Sequence, residues 1–167
     1  MVSAIAVGVS WSPDGRLALA YTLTGDCAQL RIPSSTPAAS VNGLWQHTCF
    51  EAFVSVQGGS AYREFNFSPS GEWAVYCFRG YRDRVAVDKG VIGPEVTTES
   101  HSHGLVLNAR LRLPGRLSNQ PLCLGLSAVI EDAHGVLSYW ALKHPTGKPD
   151  FHHRDAFVLQ IDPFHAE

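Results

Sequence analysis

Short apolar segments separated by glycine-containing turns are the feature that most constrains how this chain can fold. The segments are rich in Val, Phe, Tyr and Trp, and many of them alternate apolar and polar residues with a period of two. Both properties are typical of β-strands that lie on a half-buried sheet. The turns between them are Asp14-Gly15, Gly25-Asp26, Gly58-Gly59, Ser70-Gly71, Pro114-Gly115 and His134-Gly135.

This pattern predicts an all-β protein with ten strands and no helix of useful length. The Ser-, Pro- and Ala-rich segment 33–42 lacks apolar periodicity, so we expect a loop there. The fold class that we predict is an antiparallel β-sandwich, jelly-roll-like, with a single domain over residues 1–167. The predicted strands are 4–11, 16–23, 48–56, 61–67, 72–78, 95–98, 104–113, 122–130, 135–142 and 156–161.

The amino-acid composition indicates which classes of molecule this chain is expected to bind. Of the 167 residues, 45% are hydrophobic and 17% are charged, as in a globular domain with one core. A formal charge of −2 without a basic run gives no cationic face for a phosphate backbone, so we expect no nucleic-acid partner. The N-terminus lacks the cationic region of a secretory signal, and no apolar stretch is long enough to span a bilayer. We therefore expect no membrane partner and a cytoplasmic location.

Three polar residues fall on two neighbouring predicted strands, 48–56 and 61–67. Period-two alternation places Glu51 among the residues that point away from Phe50, and it places Glu64 and Asn66 opposite to Phe65. In a suitable register the three side chains converge on one polar surface. The alternatives are a solvated outer sheet face, or salt bridges to nearby arginines.

The same two segments resemble a known group of domains. Residues 44–54 read Leu-Trp-Gln-His-Thr-Cys-Phe-Glu-Ala-Phe-Val, and residues 62–73 read Tyr-Arg-Glu-Phe-Asn-Phe-Ser-Pro-Ser-Gly-Glu-Trp. The pair resembles the DOMON-like β-sandwich domains, which include the family-nine carbohydrate-binding modules. The resemblance implies a ligand-binding module in which Trp45 stacks on a sugar and Glu51 accepts hydrogen bonds from its hydroxyl groups.

These observations predict a non-catalytic module that binds a small polar ligand, expected to be a saccharide. An indole ring packs on the C–H-rich face of a sugar, and the hydroxyl groups need charged or amide partners. Trp140 is the expected second wall of an aromatic clamp, and no cofactor is required. The predicted ligand-binding residues are Trp45, Glu51, Glu64, Asn66, Trp140 and His144.

The loop between the last two predicted strands supports an alternative, which is a metal-binding, haem-binding or catalytic site. Imidazole and carboxylate groups suit a zinc-like divalent metal, and the candidate ligands are His144, Asp150, His152 and His153. Adjacent histidines on extended backbone point in opposite directions, so His152 and His153 need help from elsewhere to form one site. Haem would require histidine or cysteine ligation, because Met1 is the only methionine. In an enzyme, His144 or His152 would act as a general base that Asp150 or Asp155 orients.

Overall fold

A computed structural model describes residues 1–165, which form eleven β-strands. One α-helical turn, α1, covers Gly115–Ser118, and 3-10 turns cover Cys27–Gln29, Leu44–Gln46 and Arg154–Ala156. No helix in this part of the chain is long and apolar enough to cross a membrane. The strands are β1 (Val2–Trp11), β2 (Leu17–Gly25), β3 (Cys49–Val56), β4 (Tyr62–Phe67), β5 (Trp73–Gly80), β6 (Asp83–Val85), β7 (Glu95–His101), β8 (Gly104–Leu111), β9 (Leu122–Glu131), β10 (Leu137–Ala141) and β11 (Leu159–Ile161).

The strands form two antiparallel sheets, which confirms the predicted β-sandwich. The smaller sheet has the order β1-β2-β8-β7, and the larger has the order β10-β9-β3-β4-β5-β6. Ten of the strands lie where the alternation predicts them, with ends that shift by up to three residues. The sequence analysis missed β6, which has three exposed residues and therefore carries no apolar pattern.

The core lies between the facing sides of the two sheets. Every second residue of β2 and β8 points into it, because side chains alternate across a strand. Burial of each leucine or phenylalanine side chain contributes roughly 1.5–3 kcal/mol. The largest fully buried side chains on these facing sides include Leu17, Leu19, Tyr21, Leu23, Phe50, Phe67, Leu105, Leu107, Leu111, Leu122 and Leu124.

The outer face of the larger sheet is covered as well. Strands β10 and β11 both pair with β9 along the same edge, β10 with residues 127–131 and β11 with residues 122–124. The chain between these two strands, residues 142–158, leaves the sheet and forms an excursion. This excursion lies across the outer face, where Phe157 and Ala156 join a second apolar cluster. The sheet members of that cluster are Phe53, Tyr62, Ala74, Tyr76 and Phe78.

Gly125 sets how closely the excursion approaches the sheet. A Cβ atom at this position would lie 2.8 Å from Cδ1 of Phe157 and 3.3 Å from the backbone oxygen of Ala156. Both distances are shorter than an ordinary van der Waals contact, so Phe157 packs directly against the glycine backbone.

Gly125→Ala is therefore expected to lower the free energy of unfolding by about 1–3 kcal/mol, because it overpacks this contact. Gly80→Ala is the matched control, since it also lies on a strand of the larger sheet and a Cβ there would meet no atom within 4 Å. Urea denaturation of both variants measures the difference. Equal stabilities of the two would contradict the close approach.

Candidate functional site

A cleft of about 700 Å³ lies on the outer face of the larger sheet. Its floor is formed by β3, β4 and β5, and its walls are the segment before β3, the β5–β6 turn and the excursion 142–158. The residues that line it are Asn42, Gly43, Trp45, Gln46, Glu51, Phe53, Glu64, Tyr76, Phe78, Arg82, Arg84, Val129, Tyr139, Pro149, Asp150, Phe151 and His152.

Two buried carboxyl groups lie in the floor. In the β3–β4 register, Glu51 is opposite Asn66 and Glu64 is opposite Phe53, so both glutamates point to the outer face. The Ser127 hydroxyl donates a hydrogen bond to Oε2 of Glu51 over 3.1 Å. Burial, together with the nearby charge of Glu64, raises the pKa of Glu51 from 4.5 to about 8. Burial likewise raises the pKa of Glu64 to about 7.

His152 covers one end of this floor. Its ring lies 5.0 Å from the ring of Phe53 and 5.0 Å from that of Phe78, and both contacts are edge-on. The Tyr62 hydroxyl is 2.8 Å from Nδ1 of His152, and Nε2 is 3.5 Å from Oε2 of Glu64. Burial lowers the pKa of His152 to about 4, so the imidazole is neutral at neutral pH.

An ion pair and a hydrogen bond connect Asp150 of the excursion to the β5–β6 turn. The Arg82 guanidinium donates to Oδ1 of Asp150 over 2.8 Å, and the Tyr81 hydroxyl donates to Oδ2 of the same carboxylate. Burial opposes ionisation of Asp150, but the hydrogen bonds from Tyr81 and Arg82 outweigh it and lower its pKa. Arg82 has a left-handed backbone with φ of +52°, which is uncommon for a residue with a side chain.

Aromatic side chains form the upper walls. Trp45 is 49% exposed and Tyr139 is 47% exposed, so both present ring surface to solvent at the cleft. Gly43, with φ of +81°, begins the 3-10 turn that carries Trp45. That turn is anchored at its end, where Nδ1 of His47 lies 2.7 Å from Oε2 of the buried Glu131.

Three of the six predicted ligand-binding residues line this cleft: Trp45, Glu51 and Glu64. Asn66 lies on the same face of β4 but is fully buried, and its side-chain amide has no hydrogen-bond partner within residues 1–165. The predicted roles of these residues in binding stay predictions.

The structure does not bring Trp140 and His144, the expected second wall, to this cleft. Trp140 pairs with Ala128, whose side chain faces the core, so the indole packs against the core cluster. Tyr139 pairs with Val129 and takes the place at the cleft. His144 is exposed on the excursion, 6.1 Å from the ring of Phe151.

Three of the four candidate metal ligands, Asp150, His152 and His153, have other contacts in the structure. The Asp150 carboxylate is bound by Tyr81 and Arg82, and His152 is enclosed by aromatic rings, whereas Nδ1 of His153 accepts a hydrogen bond from the backbone of Asp155. Within residues 1–165, no group of three His, Cys, Asp or Glu side chains is arranged to hold a metal ion.

Sequence reasoning missed Tyr76, Arg82, Arg84 and Tyr139 as cleft residues. The Arg84 guanidinium carbon lies 4.2 Å from the centre of the Tyr76 ring, so the pair forms a cation–π contact at the rim. Alternation within β5 places Tyr76 on the face that carries Phe78, and this signal could have found it. Arg82 precedes β6 and Arg84 lies within it, and the apolar pattern of the sequence did not reveal this strand.

This protein is similar to known proteins in its three-dimensional structure. No family model matches the sequence, and no curated protein matches it. A candidate carbohydrate-binding protein from Bacteroides uniformis is similar in structure, with a TM-score of 0.63 and 16% identity over 86% of this chain and 71% of the other. A family-nine carbohydrate-binding module from Caldicellulosiruptor kristjanssonii, in complex with cellotriose, has a TM-score of 0.56 and 14% identity over 94% of this chain and 73% of the other. The likeness supports the predicted relation to family-nine modules at the level of the fold, and the DOMON-like assignment stays a prediction.

The raised pKa of Glu51 makes stability depend on pH. Because the pKa is higher in the folded chain than the usual 4.5, the stabilisation associated with the neutral carboxyl is present below about pH 4.5 and is lost as the pH rises through about 8. Glu51→Gln is therefore expected to reduce the loss of unfolding free energy between about pH 5 and pH 9 by roughly 2–4 kcal/mol.

Urea denaturation across this pH range measures the effect, with Glu99→Gln as the control, since Glu99 is exposed on β7. If Glu51→Gln and Glu99→Gln show the same pH dependence, Glu51 does not titrate as its burial requires.

Proposed function

We propose that this protein binds a carbohydrate in the cleft on the outer face of the larger sheet. The observation that carries the proposal is the combination of exposed aromatic rings and two buried carboxyl groups in one cleft, on a fold shared with a module that binds cellotriose. Trp45 and Tyr139 supply flat apolar surface for the C–H faces of sugar rings. Glu51 and Glu64 supply hydrogen-bonding groups at the floor.

The protonation state of the floor favours an uncharged ligand. A neutral carboxyl group donates one hydrogen bond and also accepts, so it pairs with a hydroxyl group, which has the same two capacities. At neutral pH, the raised pKa values keep Glu51 mostly neutral and Glu64 partly neutral. A neutral saccharide therefore avoids burying an additional charge beside them.

Hydrolysis of a bound glycoside is a second candidate, favoured by the same two carboxyl groups. Glycosidases use a pair of carboxyl groups, one of which is protonated at neutral pH and acts as the general acid. In this reading Glu51, which has the higher pKa, is the acid. Release of reducing sugar from a panel of oligosaccharides by the intact protein, but not by Glu51→Gln, would favour catalysis over binding alone.

The test of binding is calorimetric titration with a panel of neutral oligosaccharides that includes cellotriose. Trp45→Ala is expected to weaken the affinity for any ligand found by about tenfold or more, since stacking on an indole is lost. The fold should persist, because Trp45 is half-exposed.

Val136→Ala is the control, since it removes another exposed apolar side chain, in the β9–β10 turn outside the cleft. Absence of binding by the intact chain to the whole panel would overturn the proposal. Equal affinities of Trp45→Ala and Val136→Ala would remove the cleft as the binding site.

A further inference from the structure

A second cavity, of about 710 Å³, lies at one end of the sandwich, between β4 and the connection from β6 to β7. Four cationic side chains and one carboxylate line it, together with apolar residues of the β8–α1 connection. The charged residues are Arg63, Lys89, Arg112, Arg116 and Asp88. In a chain with a formal charge of −2, this is a local excess of positive charge.

Arg63 is the unusual member of this group, because its side chain is only 8% exposed. It follows Tyr62 on β4, where alternation turns it to the core-facing side, and it lies between Val54 and Cys77 in the sheet. Its Nη2 donates to Oδ2 of Asp88, whereas its Nη1 is buried and finds no partner in the described residues. A buried guanidinium with an unused donor is costly, and a ligand atom that accepts from it offsets that cost.

Two guanidinium groups donate hydrogen bonds to a single oxygen atom of Asp88. Oδ2 of Asp88 accepts from Arg63 and also from Nη2 of Arg116. Asp88 comes from the connection between β6 and β7 and is about half-exposed, so its carboxylate enters the cavity from a surface loop. Lys89 and Arg112 line the same cavity, so further positive charge surrounds the point where the two guanidinium groups converge.

We propose that this cavity binds a small tetrahedral oxyanion, either free phosphate or the phosphate group of a small molecule, in place of the Asp88 carboxylate. A phosphate group carries more negative charge than a carboxylate and has three or four acceptor oxygens that guanidinium groups contact in pairs. It therefore pairs with Arg63, Arg116 and Arg112 together, which one carboxylate oxygen does not. Asp88 acts as an internal competitor that occupies the site when no anion is bound.

The test is calorimetric titration of the full chain with inorganic phosphate and with glycerol phosphate, at constant ionic strength. The intact protein is expected to bind at least one of the two. Asp88→Asn should bind about tenfold more tightly, because the competitor is lost, and Arg116→Gln should bind about tenfold less tightly. Arg116 is the choice because it is exposed, so its substitution leaves the buried Arg63 in place.

Asp83→Asn is the matched control, since Asp83 is as exposed as Asp88 and pairs with an arginine, Arg79, outside the cavity. Its phosphate affinity should equal that of the intact chain. Tighter binding of glycerol phosphate assigns the site to a phosphorylated ligand, and tighter binding of inorganic phosphate assigns it to the free ion. The proposal is overturned if the intact chain binds neither anion, or if Asp88→Asn and Asp83→Asn behave alike.

Discussion

Burial of both faces of the central strands β3 and β4 is the constraint on which the rest of the structure depends. Every residue of β4 and all but the last residue of β3 are buried. One face packs on the smaller sheet, and the other packs under the excursion 142–158. Burial of an unpaired polar group costs free energy. A polar side chain on these strands therefore pairs with another group of the protein, changes its ionisation state, or pairs with a bound ligand.

Glu51, Glu64 and Asn66 meet this constraint in different ways. Glu51 receives one hydrogen bond and becomes neutral at neutral pH through its raised pKa. Glu64 is less strongly shifted and lies closer to Arg82, Arg84 and His152. Asn66 is uncharged and fully buried on the same face, where its side chain acts against the rise in the pKa of Glu64. Buried carboxyl groups with strongly shifted pKa values in a cleft mark a candidate functional site.

Most of the fold could be predicted from sequence because strands and turns are local signals. A period of two places Glu51 and Glu64 correctly once their strands pair, and this needs only the short turn at Gly58. Trp140 shows the limit of that reasoning. Alternation states that Tyr139 and Trp140 face opposite sides, but which one meets the cleft depends on pairing with β9, a long-range contact. The resemblance favoured Trp140, whereas the pairing with β9 brings Tyr139 to the cleft.

The two proposed sites lie on opposite faces of one strand, since Arg63 and Glu64 are consecutive in β4. The expectation that nucleic acid is not a partner and the proposed oxyanion site are compatible, because the two kinds of ligand differ in size. A nucleic-acid backbone requires cations spread along an extended surface, and the sequence contains no basic run that would supply them. A single phosphate group requires only a few cations around one point, and Arg63 and Arg116 already converge on one oxygen of Asp88. The expectation drawn from net charge therefore concerns long anionic partners and is compatible with a small one.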